Sequence, residues 1–317
     1  MNPTSFSSNS PLKIGTRGSD LALAQAREVR SLLMAAHAME ENAFSITVIK
    51  TTGDIVVDRP LSEIGGKGLF TKEIEQALID GDIDIAVHSS KDMPTTLPNG
   101  LVLDVFLPRE DTRDAFICEK ASGLDGLAQG AVIGSSSLRR QAQLLRYRSD
   151  FKVIMFRGNV QTRLRKLADG VAEATLLAAA GLSRLGMSHI VADYLDEGAF
   201  LPACAQGAIG IETRDGDDVT QNFIAPLHDA GTAAAVQCER AFLKVLDGSC
   251  RTPIAGIARI EGDTLSFKGE VLRPDGSESF PIDGSGSIAD AVAIGEEAGL
   301  RLKSQLSDDF VQSLHQR

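Results

Sequence analysis

The sequence predicts an α/β protein that carries a smaller α+β domain at its C-terminal end. Three short apolar strands each run into an Arg-bearing turn and then into a helix, near Gly15, Gly134 and Arg157. Repeated units of this kind are typical of α/β folds with largely parallel sheets. From Gly231 onward one amphipathic helix precedes alternating segments separated by the turns EGD and PDG, which indicates β-hairpins.

The first α/β part alternates strands with helices. Thr71 is placed to cap a helix that begins KEIEQ. Residues 51–68 are rich in glycine and charge, and they fit either a lid over a site or a plain surface loop. The predicted strands cover 12–15, 44–50, 82–87 and 101–106, and the predicted helices cover 21–36 and 72–81.

The second α/β part begins after a charged linker at 107–114. Apolar strands at 115–119, 131–133 and 152–156 alternate with helices that begin near Leu138 and Val160. A further apolar segment at 174–186 follows, and a strand within 201–214 returns the chain to the first domain. We therefore expect domain 1 to comprise 1–107 and 207–226, with a disordered lead-in at 1–10, domain 2 to comprise 113–201, and the α+β domain to comprise 230–317.

The bulk composition narrows the function classes. The chain has 317 residues, a net charge of −11, no Trp and only two Tyr, so we expect no nucleic-acid partner. No segment approaches the about 18 consecutive apolar residues of a membrane span. The N-terminus is polar and lacks the apolar core of a secretion signal. These features predict a cytoplasmic protein without membrane contact.

The cysteines and histidines indicate no metal site. The four cysteines contain no C-x-x-C pair, and the five histidines are scattered without the spacing that metal-binding motifs show.

Positive charge is concentrated in residues 134–166. This stretch has nine Lys or Arg and one acidic residue, a local charge of +8 that leaves −19 for the rest of the chain. Ser137 is a candidate helix cap, and Arg139 and Arg140 would lie in the first helical turn, where the helix dipole disfavours cations. A bound anion would reverse that cost. The stretch therefore predicts an anion site, and a solvated basic face is the alternative.

Two further residues are candidates for chemistry. Asp92 follows a buried strand at the end where open α/β sheets bind ligands, although a carboxylate bonded to its own turn fits as well. Cys250 lies in a Gly/Ser loop beside Arg251, which would favour a thiolate, and a structural thiol is the alternative. The sequence offers no histidine near Cys250 to act as a base.

Eight short motifs together resemble the porphobilinogen deaminase, or hydroxymethylbilane synthase, family. They occur in family order from about residue 13 to residue 253. They read GTRGS (15–19), KTTGD (50–54), GGKGLFTKE (65–73), DIAVHSSKDMP (84–94), GSSSLRRQ (134–141), RGNVQTRL (157–164), AGLSRLG (180–186) and DGSCRTP (247–253). One departure is Ala205, which stands where the family commonly has Gly.

The resemblance implies a fold and a set of site residues. Two α/β domains of the type II periplasmic-binding-protein kind would face each other across a cleft, and a small α+β domain would carry the cofactor cysteine. Asp92 would be the catalytic carboxylate, and Cys250 would hold a dipyrromethane cofactor through a thioether. Cofactor binding would fall to Lys91, Ser137, Arg139, Arg140 and Arg184, and substrate binding to Arg17, Ser19, Lys67, Phe70, Arg157 and Arg163.

The implied activity is a transferase reaction of tetrapyrrole (porphyrin and haem) biosynthesis. Four porphobilinogen molecules would be condensed head to tail, with loss of ammonia, on the dipyrromethane primer, and hydroxymethylbilane would be released. The resemblance also implies a monomer. The alternative from a different class is a non-catalytic protein of the same double α/β fold that binds or senses small anions. It would give no role to Asp92 or Cys250.

Overall fold

The computed structural model describes residues 6–55, 68–246, 252–307 and 310. By its backbone contacts the chain divides into two compact units. Unit 1 contains residues up to 55, residues 68–110 and residues 208–233. Unit 2 contains residues 111–207 and the described residues from 234 onward. The three-domain boundaries stay a prediction.

Unit 1 is built on a five-stranded sheet in the order β2-β1-β3-β10-β4. Strands β1, β2 and β3 are mutually parallel, whereas β10 arrives from a distant part of the chain and runs antiparallel to both of its neighbours. Its strands are β1 (Leu12–Thr16), β2 (Phe44–Val48), β3 (Ile85–Ser89), β4 (Leu101–Phe106) and β10 (Ile209–Arg214). Its helices are α1 (Asp20–His37), α2 (Thr52–Ile55), α3 (Lys72–Ile79) and α7 (Asp218–Ile224).

Helix α1 shows how the sequence positions the elements of unit 1. Its apolar side packs on β1 and β3, where Ala26, Val29 and Leu33 are fully buried. The Ser19 hydroxyl caps the helix by accepting a hydrogen bond from the Ala22 amide. Asp20 in the first turn complements the helix dipole. The N-terminus of α1 is therefore fixed at the edge of the sheet where β1 ends.

The first part of unit 2 repeats this architecture. Its sheet has the order β7-β6-β8-β5-β9, in which β6, β7 and β8 are parallel and β5 is antiparallel to both of its neighbours. The two sheets thus share one strand order, and the predicted fold class is confirmed. The strands are β5 (Asp114–Ile117), β6 (Val132–Gly134), β7 (Lys152–Ile154), β8 (Ala174–Ala178) and β9 (Asp193–Tyr194). The helices are α4 (Leu138–Tyr147), α5 (Val160–Ala168) and α6 (Ala179–Arg184).

The C-terminal part combines three antiparallel strands with two packed helices. The helices are α8 and α9, and they approach so closely that a Cβ at Gly295 would lie 2.0 Å from the Cys238 carbonyl oxygen. The two hairpins predicted at EGD and PDG are present. The elements are α8 (Ala230–Val245), β11 (Ile254–Glu261), β12 (Thr264–Leu272), β13 (Ser279–Ser287) and α9 (Ala291–Lys303).

Ala205 has a left-handed backbone with φ of 61°. Its amide donates to the buried Glu239 carboxylate, which also accepts from the Ala258 amide. A left-handed residue costs an L-amino acid roughly 1–2 kcal/mol, and glycine avoids that cost. A glycine at this position would therefore be less strained than Ala205.

Some element boundaries differ from the prediction. Strand β3 begins at Ile85, after the first residues of the predicted strand. The Lys13 amide donates to the Asp84 side chain, and Asp84 precedes the segment of β3 that pairs with β1. Strand β7 ends at Ile154, and Asp114, assigned to the linker, is the first residue of β5. Thr71 is the N-cap of α3 but makes no side-chain capping hydrogen bond. None of the helices in the described part of the chain is both long and apolar enough to span a membrane.

Candidate active site

Unit 1 holds a pocket at the carboxyl ends of β1 and β3. These strands are parallel neighbours, so the residues that follow them meet at one edge of the sheet. Arg17 follows β1, and a short 3-10 turn at Ser90–Asp92 follows β3. The pocket is lined by Arg17, Ser19, Leu21, Ala22, Gln25, Phe70, Thr71, Val87, His88, Ser89 and Asp92. It therefore brings together four of the predicted residues: Arg17, Ser19, Phe70 and Asp92.

Arg17 is held by a carboxylate and an aromatic ring. Its Nε lies 3.2 Å from both carboxylate oxygens of Asp54, and its Nη2 also donates to Oδ1. The guanidinium carbon lies 4.2 Å from the centre of the Phe70 ring. Partial burial raises the pKa of Asp54, but Arg17 and the Thr51 hydroxyl outweigh that effect and the pKa is lowered. Asp54 thus stays ionised and fixes the Arg17 fork.

Gly53 permits the position of Phe70. A Cβ at Gly53 would lie 2.3 Å from the Phe70 ring and 2.9 Å from the Leu69 carbonyl oxygen. The Gly53 amide donates to that carbonyl over 2.8 Å. Any larger residue in the KTTGD motif would therefore displace the ring on which Arg17 rests.

Asp92 ends the turn that follows β3 and is exposed. The Ser90 amide holds the turn by donating to the Ala208 carbonyl at 3.0 Å, and the Met93 amide closes it on Ser90. Among the described residues, no hydrogen bond or ion pair involves the Asp92 carboxylate. Its predicted neighbour Lys91 is half-buried in the same turn. Asp92 is thus available to a molecule in the pocket.

Three polar pocket residues were not singled out from the sequence. The Gln25 amide exchanges hydrogen bonds with the Ser89 hydroxyl at 2.9 and 3.1 Å. The His88 Nε2 lies 3.1 Å from a carboxylate oxygen of Glu212. The sequence did contain a signal for these residues. His88 and Ser89 belong to the same motif as Asp92, and Gln25 is a polar residue on the buried side of α1.

In unit 2, Arg139 and Arg140 are buried and share one carboxylate. Arg139 Nη1 donates to Asp114 Oδ2 at 2.8 Å, and Arg140 Nη2 donates to Oδ1 at 2.7 Å. The Asp114 side chain has no exposed surface. Arg139 also donates to the Leu201 carbonyl, and Arg140 donates to the Leu176 carbonyl. The anion that offsets these cations at the helix start is therefore Asp114.

The pairing with Asp114 weakens the prediction of an anion site from the positive charge of residues 134–166. Burial alone would raise the pKa of Asp114, but Arg139 and Arg140 outweigh burial and hold the pKa well below its usual value. The unfavourable position of the two arginines thus requires no bound ligand. Two other members of the basic stretch also have internal partners, since Arg146 pairs with Glu270 and Arg148 pairs with Asp150. The Nε atoms of Arg139 and Arg140 are buried and lack a hydrogen-bond partner among the described residues.

The remaining predicted residues of unit 2 lie in helices or in the turns that precede them, and they are half-buried. Ser137 caps α4 by accepting from the Arg140 amide, as predicted. Arg163 lies in α5, and its Nε donates to the Gly158 carbonyl at 2.9 Å. Gly158 follows Arg157 with φ of 121°. Arg184 ends α6 and donates to the Gly207 carbonyl.

Two predicted residues, Lys67 and Cys250, lie outside the described residues. No group of three or more His, Cys, Asp or Glu side chains in the described part of the chain is arranged to hold a metal ion.

Comparison with protein families gives matches along most of the chain. Residues 12–222 match the model "Porphobilinogen deaminase, dipyromethane cofactor binding domain". Residues 233–304 match "Porphobilinogen deaminase, C-terminal domain". A porphobilinogen deaminase from Paracoccus denitrificans is 57% identical over 300 residues, which cover 95% of this chain and 96% of that protein.

Solved structures provide more distant matches. An ABC transporter periplasmic substrate-binding protein from Coxiella burnetii is 14% identical and has a TM-score of 0.42. The match covers 70% of this chain and 93% of that one. A nutrient-binding protein from Burkholderia cenocepacia, solved with methionine, is 14% identical and has a TM-score of 0.40. The match covers 74% of this chain and 95% of that one.

Proposed function

The chain belongs to the porphobilinogen deaminase family, and on that premise we propose the roles of its site residues. Its activity is the hydroxymethylbilane synthase reaction of tetrapyrrole biosynthesis. Four porphobilinogen molecules are condensed head to tail, with loss of ammonia, on a covalently bound dipyrromethane, and hydroxymethylbilane is released. A non-catalytic anion-binding protein is not favoured, because the family matches extend over both the cofactor-binding and the C-terminal domain.

Asp92 is proposed as the catalytic carboxylate and Arg17 as its partner in substrate binding. The observation that carries this proposal is their shared pocket at the carboxyl ends of β1 and β3. Loss of ammonia from porphobilinogen generates an azafulvenium cation, and a carboxylate beside the pyrrole nitrogen stabilises that charge. Asp92 has no competing partner among the described residues, so its charge is directed to the pocket.

Carboxylate binding explains the distribution of arginine. Each porphobilinogen carries two carboxylates, and Arg binds carboxylates through charge-assisted, often bidentate hydrogen bonds. We assign substrate binding to Arg17, Ser19, Lys67, Phe70, Arg157 and Arg163. Ser19 contributes from the N-terminus of α1, which itself favours anions.

The residues of unit 2 fit the dipyrromethane cofactor. Arg139 and Arg140 each retain a buried Nε–H donor without a partner among the described residues, and Ser137 lies at the same helix start. These donors suit the carboxylates of two linked pyrrole units. When bound, the cofactor supplies the terminal pyrrole ring to which the first substrate molecule is joined. We assign cofactor binding to Lys91, Ser137, Arg139, Arg140 and Arg184 and covalent attachment to Cys250.

Replacing Cys250 with Ser tests the attachment site. The intact mass of wild-type protein should exceed the sequence mass by two linked pyrrole units, and the Cys250→Ser variant should lack this excess and be inactive. Cys118→Ser, which removes a half-buried thiol in unit 2, is the matched control and should keep the excess. A bare mass in active wild-type protein would refute the cysteine assignment.

Replacing Arg17 with Lys should weaken substrate binding. Lys keeps the charge but loses the two-pronged geometry, and a hydrogen bond to a charged group contributes about 1.5–3 kcal/mol, so KM should rise at least about tenfold. The matched control is Arg113→Lys, because Arg113 also pairs with an aspartate and lies over an aromatic ring, Tyr194, outside the pocket. An unchanged KM in Arg17→Lys with a raised KM in Arg113→Lys would contradict the assignment.

The domain division and cellular context are also part of the proposal. We propose three domains with the boundaries 1–107 plus 207–226, 113–201 and 230–317. The protein is proposed to act as a cytoplasmic monomer without a nucleic-acid partner. This proposal is supported by its acidic charge and by the small, water-soluble substrate.

A further inference from the structure

A buried histidine lies in the wall of the unit 1 pocket. His88 is the fourth residue of β3, and its side chain is only 5% exposed. Its Nε2 lies 3.1 Å from Glu212 Oε2, and the Glu212 side chain is 0% exposed. No other described group hydrogen-bonds the imidazole ring. The ring is thus held at one nitrogen, while the residue borders the same pocket as Asp92.

The carboxylates behind His88 have unused hydrogen-bonding capacity. Glu212 Oε1 is buried and has no hydrogen-bond partner among the described residues, and the same holds for Oε1 of Glu75 on α3. Burial raises the pKa of Glu75, and the charge of Glu212 adds to the effect. Two buried carboxylates with unfilled acceptor positions are costly unless protons balance their charge. Glu75, His88 and Glu212 therefore form a buried group of titratable side chains with unfilled acceptor positions.

The charged surroundings of His88 are mostly acidic. Glu212 approaches from β10 and Glu75 from α3, and Glu73 lies two residues before Glu75 on the same helix. The neutral Gln25 of α1 also lines the pocket. The charged residues that line it are Arg17 and Asp92. A histidine that lines a pocket and has one ring nitrogen on a buried carboxylate is suited to acid–base work.

We propose that His88 is a second proton-transfer residue of the reaction, oriented by Glu212. This inference rests on the proposed function of the unit 1 pocket. Glu212 is a positioning residue, because it acts through the imidazole. Asp92 keeps the role of stabilising cationic charge, and His88 moves the proton. The division separates two tasks that a single exposed carboxylate would otherwise perform.

The proton balance of each condensation defines the step. The aminomethyl group reacts in its ammonium form, so its C–N bond breaks and neutral ammonia leaves with the electron pair. A C–C bond then forms between the resulting methylene carbon and the free α-carbon of the receiving pyrrole. That α-carbon loses its proton to the imidazole of His88, and the imidazolium gives this proton to the released ammonia, so each condensation yields one ammonium ion. Nothing is oxidised or reduced, and no co-reactant is needed.

The first test replaces His88 with Asn in the holoenzyme. The kcat should fall about 100-fold, the lower end of what general acid–base catalysis contributes. Cofactor loading by intact mass should be unchanged. His37→Asn is the matched control, since His37 lies in unit 1 outside the pocket with its Nε2 at the Phe223 carbonyl. It should leave kcat unchanged.

A second readout separates proton transfer from a structural role. Porphobilinogen that carries deuterium at its free α-carbon should give a larger isotope effect on kcat in His88→Asn than in wild type, because loss of the base makes α-proton removal limiting. In Glu212→Gln, which removes the carboxylate but keeps a hydrogen-bonding group, kcat should fall and the same isotope effect should rise while KM stays unchanged. The imidazole then lacks the carboxylate that orients it for proton removal.

The outcomes are distinguishable. An unchanged isotope effect in both His88→Asn and Glu212→Gln would overturn the role of His88. If His88→Asn does not fold, judged by its melting temperature, the isotope effect of Glu212→Gln decides alone. Failure of the proposed function would look different, since wild-type protein would then release neither ammonia nor hydroxymethylbilane.

Discussion

Asp92→Asn should reduce kcat by about 1,000-fold while leaving the fold and the cofactor in place. An Asn side chain has nearly the same shape but no charge, so it cannot stabilise the azafulvenium cation, and electrostatic stabilisation of this kind contributes about 10²–10³ or more to a rate. Stability should be preserved because Asp92 is exposed and makes no hydrogen bond or ion pair with another described residue. The measurement is kcat, with intact mass and melting temperature on the same preparation.

The control for this variant is Asp104→Asn. Asp104 is an exposed carboxylate on β4 of the same sheet, and it does not line the pocket. Its replacement changes the net charge of unit 1 by the same amount and should leave kcat unchanged. Near-normal turnover in Asp92→Asn would remove Asp92 from the mechanism. A loss of the cofactor mass in that variant would instead assign Asp92 to cofactor assembly.

The sequence predicted local features that depend on neighbouring residues. Ser137 caps α4, and the turn at Arg157–Asn159 leads into α5, because caps and turns are determined within a few residues. The strand order of the sheets required more than local pattern. β10 joins its sheet from more than one hundred residues beyond β4, and the sequence predicted this return to the first domain but not the place of β10 between β3 and β4.

The partners of the predicted arginines were the part that the sequence did not predict. Asp54 belongs to a quoted motif, yet its pairing with Arg17 spans 37 positions and depends on the fold of unit 1. Asp114 was assigned to a linker, although it stands 25 positions before Arg139 and is the buried centre of the cluster. Counting charges along the sequence identified the arginines. Their carboxylate partners are brought to them by the fold, so no pattern in the neighbouring sequence indicated them.

The Asp114 cluster leads to the second large expected effect. Asp114→Asn should lower the free energy of unfolding by about 3–5 kcal/mol, because removing one partner of a buried ion pair leaves uncompensated charge in the interior. Here Arg139 and Arg140 would both lose their counter-charge. Urea unfolding measures the change, and intact mass should show reduced cofactor loading, since the two guanidinium groups would no longer be fixed.

A partly exposed aspartate–arginine pair in the same unit provides the control. Asp150 pairs with Arg148, whose hydrogen bonds hold the pKa of Asp150 at about 2, but the carboxylate is in contact with solvent. Exposed pairs contribute little to stability, so Asp150→Asn should unfold at the same urea concentration as wild type. Equal stability losses in Asp114→Asn and Asp150→Asn would contradict the buried-pair argument.

The pH dependence of Asp114→Asn gives an independent check with a defined sign. The pKa of Asp114 is lowered by folding, so its contribution to stability is complete above the unfolded pKa of 3.8 and is lost as the pH falls toward the folded value. The stability difference between wild type and Asp114→Asn should therefore be constant from neutral pH down to about the unfolded pKa and should shrink below it. A difference that already shrinks between pH 7 and pH 5 would mean that another group, such as a histidine, carries the effect.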